Sequence, residues 1–413
     1  MLALPVTSQH SALQPDRLPA GPLDGLYIHV PFCRHKCHYC DFYSIVGQTE
    51  DRMARFVDLV LLEADFWRRH RTVRPATVFI GGGTPTLLPL GDMRRLLQGL
   101  RRRFDLANVA EWTVEANPAT VDDDYCRMLL DCGVGRLSLG AQSFRPGELA
   151  TLQRNHQPGD IARSLDIARR AGFSRLNIDL IFAIPGQRLN QWSENLRRAL
   201  ELGTEHLSCY ALTYEPNTPL AVKRRRGAIQ PVEESLELEM LRHTRHVLAA
   251  AGLPAYEISN FAQPGRECLH NLMYWSGGSY LGLGPSAASH IHGWRWRNRP
   301  HLGDWESALV EGRLPAIDLE HLTPAQRAGE LAMLMLRTAR GIVLDDYLSR
   351  TGIDPRKAYQ TLLRQLVAAG LITAGPTALT LTEAGVALAD GVAGEFLANS
   401  AGPDPCRDSA FLA

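Results

Sequence analysis

Leu26-Tyr27-Ile28-His29-Val30-Pro31-Phe32-Cys33-Arg34-His35-Lys36-Cys37-His38-Tyr39-Cys40-Asp41-Phe42 runs from an apolar, strand-like segment straight into a loop carrying three thiols. Cys33, Cys37 and Cys40 stand at Cx3Cx2C spacing. Three close thiolates suit three irons of a [4Fe-4S] cube and leave the fourth iron without a protein ligand. A structural zinc site usually takes four ligands, and here it would need His29, His35 or His38 as the fourth. The remaining cysteines, Cys126, Cys132, Cys209, Cys268 and Cys406, are scattered with no second pair at ligand spacing. Eight cysteines in 413 residues make no disulfide framework, so a reducing compartment is expected.

Outward from this loop, short apolar runs alternate with segments of helical period. The strand candidates are Leu26–His29, Thr77–Ile80, Trp112–Glu115, Arg136–Leu139, Leu176–Ile181 and His206–Ala211. Amphipathic stretches lie between them: Arg52–His70, Gly91–Arg103, Asp122–Asp131, Gly159–Ala171 and Asn190–Leu202. Serial βα repeats imply a parallel sheet with right-handed crossovers, and the runs read as strands buried on both faces. Polar residues gather at or near the ends of several strands, as on a barrel's catalytic face rather than at one switch point. The expectation is a partial (β/α)6 TIM-like barrel over residues 25–300. A mainly helical, winged-helix-like domain over 301–398 follows, with flexible segments at 1–24 and 399–413. Residues 303–322 read as a linker with one short helix. Thr323-Pro324 opens a helix to about 338, and another is expected over 355–369.

Composition narrows the function classes. With 45% hydrophobic residues the chain can bury a large core, and 44 basic residues balance 44 acidic ones. That balance gives no drive toward nucleic acid or an anionic membrane. No apolar run is long enough to span a membrane, and the first 24 residues do not read as a signal peptide, so a cytoplasmic protein is expected. Lys223-Arg224-Arg225-Arg226 is the one basic run. It reads as a solvated loop, with docking of an acidic electron donor or of heme propionates as alternatives.

Gly81-Gly82-Gly83-Thr84-Pro85 follows an apolar run and lets backbone approach a ligand closely; no Gly-Lys-Ser/Thr follows to make it a phosphate loop. Glu115, Gln142, Arg154 and Asp179 form a second polar group. A carboxylate inside an apolar strand is costly unless paired or ligand-bound, and Arg154 offers a fork for a carboxylate.

Together these segments resemble a known family. Tyr27 with His29–Cys33, then 81–86, 114–118, 139–144, 179–186 and 210–216, are similar in order to the radical S-adenosylmethionine (SAM) proteins of the oxygen-independent coproporphyrinogen III oxidase group. The resemblance implies that Cys33, Cys37 and Cys40 hold a [4Fe-4S] cluster. It also implies that Tyr27, Tyr39, Gly82, Gly83, Thr84, Glu115, Gln142, Arg154, Asp179 and Ala211 line a SAM site. The implied chemistry is one-electron cleavage of SAM to methionine and a 5′-deoxyadenosyl radical. Phe42 stands where the oxidases carry a further cysteine, and the segment before the barrel is short; both features resemble the heme chaperone (HemW) group.

The stretch 270–275, HNxxYW, resembles that group's heme-binding signature, which implies heme contact by His270, Asn271, Tyr274 and Trp275. Taken alone, His270 and Asn271 read more readily as a turn, with Tyr274 and Trp275 as core or interface aromatics; the resemblance reverses that preference. The resemblance implies heme as cargo, respiratory hemoproteins at the membrane as recipients and an electron donor for the cluster. A homodimer is a further possibility, and nucleic acid is not expected. Oxidative decarboxylation of coproporphyrinogen III is the alternative activity.

Overall fold

The computed structural model describes residues 13–399; the first part of the expected lead-in (1–12), the tail 400–413 and Cys406 lie outside the described residues. In chain order the first unit runs β1 (Gly25–Val30), α1 (Glu50–His70), β2 (Thr77–Gly82), α2 (Leu90–Arg103), β3 (Glu111–Ala116), α3 (Asp123–Asp131) and β4 (Arg136–Gln142). It continues with α4 (Pro146–Leu152), α5 (Pro158–Ala171), β5 (Arg175–Phe182), α6 (Leu189–Glu201) and β6 (His206–Ala211). β1 to β6 pair in parallel and in sequence order, each return made by helix. The expected strands all form, several of them a residue or more longer at their ends. Asp122 caps α3 by accepting from Tyr125 N at 2.8 Å, an interaction of about 1 kcal/mol.

α7 (Pro219–Arg225), α8 (Glu234–Ala250), β7 (Asn260–Ala262), α9 (Leu269–Trp275), β8 (Tyr280–Leu283), β9 (Ala288–Ile291), β10 (Trp294–Asn298), α10 (Leu302–Val310) and β11 (Ala316–His321) follow. They extend the sheet to eleven strands in the order β11-β10-β9-β8-β1-β2-β3-β4-β5-β6-β7, open between its two edges. The parallel strands are thus the centre of an open TIM-like barrel. The stretch expected as a linker instead supplies α10 and the edge strand β11. Ala-Ile-Asp-Leu-Glu-His alternates polar and apolar residues, as a one-sided edge strand does.

Outward-facing residues of the strands, such as Ile28, Val78, Val114, Leu137, Ile178 and Leu207, are fully buried under the helices. The inward face differs from the expectation of apolar burial on both sides. Arg136, Ser138 and Gln142 on β4, Asn177 and Asp179 on β5, and Ser208 and Tyr210 on β6 line the barrel interior. The lead-in is packed from the start of the described residues rather than flexible. Leu18 and Leu23 are buried, and Asp24 Oδ2 accepts from Ser279 N at 2.8 Å.

The last elements are α11 (Pro324–Leu336), β12 (Ile342–Val343), α12 (Leu344–Thr351), α13 (Pro355–Ala358), α14 (Gln360–Ala368), β13 (Ile372–Ala374), β14 (Ala378–Leu381), α15 (Glu383–Ala387) and α16 (Ala389–Asn399). The order β12-β14-β13 gives the small antiparallel sheet of a winged helix. Its separate core holds Leu331, Met335, Tyr347, Leu363, Ile372 and Phe396. Thr323 caps α11 through a capping box, as its sequence suggests. The helix expected over 355–369 is split at Tyr359, whose ring packs on Phe396 with centroids 4.9 Å apart.

Candidate functional site

The thiol loop leaves the C-terminal end of β1 and is tied at its base. Ile45 N donates to Pro31 O at 2.7 Å and Cys33 N to Ile45 O at 2.9 Å, while Cys40 N closes a turn on Cys37 O at 3.3 Å. The three thiols are free and half-buried, whereas Cys126, Cys132, Cys209 and Cys268 are buried. Cys33 Sγ lies 3.8 Å from Thr84 Oγ1. Arg154 spans the mouth, donating from Nη1 to Cys37 Sγ at 3.5 Å and from Nη2 to Gly140 O at 2.6 Å. Burial pushes the Cys33 and Cys40 thiols up; a hydrogen bond from Thr84 and the Lys36 charge oppose this at Cys33, and the Phe42 backbone and Lys36 do so at Cys40. A Cβ on Gly83 would stand 2.7 Å from Phe32 O and 3.0 Å from Cys33 Sγ, so only glycine admits this approach of β2 to the loop.

Below the loop lies a cavity of about 700 Å³. Its wall includes Cys33, Cys37, Cys40, Tyr39, Gly82, Gly83, Thr84, Glu115, Gln142, Arg154, Asp179 and Ala211, which the topology collects from five strand ends and the loop. Tyr27 is the exception. It stacks on Phe79 with centroids 6.3 Å apart and bonds His29 Nδ1 at 3.1 Å, standing behind the wall. Glu115 Oε2 accepts from Gly82 N at 3.2 Å. Burial, reinforced by the Asp179 charge, raises its carboxyl to about 8. Asp179 is also raised by burial, opposed by hydrogen bonds from its neighbours; Asn177 Nδ2 reaches its Oδ1 at 2.7 Å. Gln142 follows an irregularity in the β4–β5 register and has φ +68°.

Deeper, the sequence reading missed a polar layer. Asn177 Nδ2 donates to Ser138 Oγ at 2.7 Å and approaches Ser208 Oγ at 3.1 Å, and His206 Nδ1 meets Asn177 Oδ1 at 2.6 Å. Arg136, which opens β4, and His156, two residues after Arg154, also line the cavity. Burial, with the Arg154 charge beside it, lowers His156 to about 4 and keeps it neutral. The available signal was period-two: polar residues recur at alternate positions in Arg-Leu-Ser-Leu-Gly-Ala-Gln and Arg-Leu-Asn-Ile-Asp-Leu.

The HNxxYW segment forms α9 and closes the opposite, N-terminal end of the barrel. His270 is 1% exposed. Its Nδ1 bonds Thr77 Oγ1 at 2.8 Å, its Nε2 bonds Tyr274 OH at 3.1 Å, and its ring stacks on Phe79 at 5.2 Å. Burial lowers its pKa to about 3. Only Asn271 of the four proposed heme contacts reaches the cavity, from below. His270 is thus placed as a satisfied floor histidine, with Asn271, Tyr274 and Trp275 half-buried around it.

The mouth fits a cluster with three protein ligands. One loop offers three free thiols, Arg154 and Lys36 oppose thiolate charge, and Gly83 lets backbone close over the loop. Of the three candidates for a fourth zinc ligand, His29 bonds Tyr43 O at 2.8 Å through Nε2 and His38 Nδ1 faces Lys223 Nζ at 3.2 Å, while His35 lines the cavity with a buried Nε2 that has no hydrogen-bond partner. Known proteins agree with this geometry. The family model of the Radical SAM superfamily matches residues 27–237, and that of the HemN C-terminal domain matches 322–388. The heme chaperone HemW of Bacillus subtilis is 34% identical over 376 residues, 90% of this chain and 98% of that protein. HemW of Mycobacterium tuberculosis is 36% identical over 91% of this chain and 95% of its own length. The structure of coproporphyrinogen III oxidase (HemN) from Escherichia coli superposes with a TM-score of 0.79 at 24% identity, covering 91% of this chain and 90% of that one, a likeness of fold. A three-thiol loop on the first strand of an open parallel barrel, with relatives aligned along nearly their whole length, places the chain in the radical SAM superfamily and, within it, the HemW family.

Proposed function

We propose that this chain binds heme and delivers it to respiratory hemoproteins at the membrane, carrying a [4Fe-4S] cluster and SAM in its barrel. The observation that carries this reading is the complete three-thiol mouth in a chain whose relatives of matching length are named heme chaperones. Cys33, Cys37 and Cys40 would hold the cluster. Gly82, Gly83, Thr84, Glu115, Gln142, Arg154, Asp179, Tyr39 and Ala211 would hold SAM, with Tyr27 supporting the wall. When bound, cluster and SAM together supply one-electron chemistry. The chain's own contribution is to orient through Arg154, to offer the buried Glu115 and Asp179 carboxyls as polar contacts, and to exclude water under the loop. No helix among the described residues is long and apolar enough to cross a membrane, so delivery calls for docking at a membrane partner. We also place the unit boundary near residue 322, after β11, rather than at 300.

Heme contact through the His270 ring requires α9 to leave the floor, breaking the hydrogen bond to Thr77 Oγ1, about 1 kcal/mol. Anaerobic heme titration tests this reading. The wild type should bind heme with a shifted Soret band, and His270→Ala should bind at least about tenfold more weakly while keeping its circular dichroism. Equal binding by the variant would remove the segment from the heme site. Conversion of coproporphyrinogen III to protoporphyrinogen IX by the loaded protein would replace the chaperone reading with the oxidase one.

A further inference from the structure

The basic run expected as a solvated loop is instead fixed against the thiol loop. Lys223, Arg224 and Arg225 form the last turn of α7, with Arg226 as its C-cap. Leu220 N of α7 donates to His38 O at 3.0 Å, and Lys223 Nζ lies 3.2 Å from His38 Nδ1. His38 directly follows Cys37 on that loop. Beneath, Leu220 packs with Leu152, Ile181, Ile184 and Tyr39, so helix and loop share one apolar base. The helix is therefore held at the cluster position.

The charge of this surface is unbalanced. Lys36 Nζ donates to Phe42 O at 2.5 Å and Ser44 Oγ at 2.9 Å, Arg224 lies over the Tyr214 ring at 4.8 Å, and Arg225 donates to Pro216 O at 3.2 Å. All these partners are neutral. Among the described residues neither these groups nor Arg34 and Arg226 pairs with a carboxylate, whereas Arg95, Arg175 and Arg295 elsewhere do. The nearby carboxylates are Asp41 and Glu215 on the cavity lining, Glu115 and Asp179 deeper in it, and Glu237, whose charge reaches the Tyr214 ring beneath Arg224. On the same loop Phe42 is 63% exposed, its carbonyl accepting from Lys36. An exposed aromatic on the thiol loop, on a surface whose cations have no carboxylate partner, has the anatomy of an apolar contact with a steering rim.

We propose that α7 and the thiol loop form the docking surface for a small acidic protein bearing a low-potential one-electron centre. The inference rests on the cluster reading above. One electron leaves the donor's reduced centre, which is oxidised by one electron, and enters the cluster held by Cys33, Cys37 and Cys40, taking it from [4Fe-4S]2+ to [4Fe-4S]1+. No atom is transferred. Oppositely charged faces speed encounter and make it salt-dependent, because exposed charges are screened beyond about 10 Å at 0.1 M salt.

The test uses an acidic [2Fe-2S] ferredoxin as donor and the variant Lys223→Gln/Arg224→Gln/Arg225→Gln/Arg226→Gln, with iron content measured in both proteins. Calorimetry should show ferredoxin affinity falling about tenfold or more in the variant, with a shallower dependence on salt. Cluster reduction by reduced ferredoxin should slow in parallel, while reduction by photoreduced 5-deazariboflavin, which is uncharged, stays unchanged. Equal ferredoxin affinity and salt dependence in the two proteins would overturn the proposal. Lost heme affinity with ferredoxin binding intact would overturn it too, assigning the cations to propionates. A wild type with no reducible cluster under deazaflavin would instead defeat the cluster reading itself.

Discussion

At the scale of one residue, Glu115 shows how the barrel sets a protonation state. Its carboxyl is raised to about 8 by burial, with the Asp179 charge adding to the shift. A carboxyl near 4.5 in the unfolded chain and near 8 in the folded one binds more protons when folded. Its contribution to stability is fully present below about 4.5 and is lost as pH rises through about 8. Stability of the unloaded protein should therefore decline across that window, and Glu115→Gln should flatten the decline. Urea unfolding at several pH values checks this; an unchanged slope in the variant would assign the decline to another group. Glu115 and Asp179 were legible in the sequence because a carboxylate in an apolar strand demands a reason. Arg136 was not, because a charged residue opening a strand looks like a solvated end until the fold buries it.

At the scale of the element, β1 to β6 were legible as strands and misread in their facing. Apolar residues at every second position are enough to predict a strand, but the residues between them decide whether its other face meets core or cavity. In β5 those residues are Asn177 and Asp179, bonded to each other and to β4, so the inner face is a polar layer. β11 was lost for a related reason: an edge strand covers only one face and leaves a weak signal. Helix α1 hides another polar device, since Glu63 is buried and binds three donors. Gly284 N at 2.9 Å, Asn298 Nδ2 at 2.7 Å and Trp305 Nε1 at 3.2 Å tie α1 to the β8–β10 extension and to α10. Glu63→Ala would leave Gly284 N and Trp305 Nε1 unmet, at a cost of about 1–3 kcal/mol per unmet group, while Asn298 Nδ2 keeps its bond to Gly284 O at 2.9 Å. The variant should lose several degrees in melting temperature; a melt within one degree of wild type, about the resolution of such a measurement, would show that water replaces the carboxylate.

At the scale of the whole molecule, the winged-helix unit closes the barrel by holding its floor. Arg337, next to α11, lies over the Trp275 ring of α9 at 5.0 Å. Ala339 N donates to Tyr256 O at 2.9 Å, and Arg295 Nη1 meets Glu330 Oε1 at 2.5 Å across the same junction. Neither the floor role of α9 nor this clamp could be read from sequence, because both depend on which end of the barrel the second unit covers. Together with the His270–Thr77 bond, the clamp holds α9 on the barrel floor. An exposed cation–π contact contributes about 0.5–1 kcal/mol. Arg337→Gln should thus raise the open population of α9 about two- to fivefold, seen as faster hydrogen exchange at Leu272 and Ser276 with β2 and β3 unchanged. If heme reaches His270 through that opening, the rate of heme association should rise by the same factor. Faster exchange in α9 with an unaltered heme association rate would separate floor from cargo and leave His270 as a structural residue.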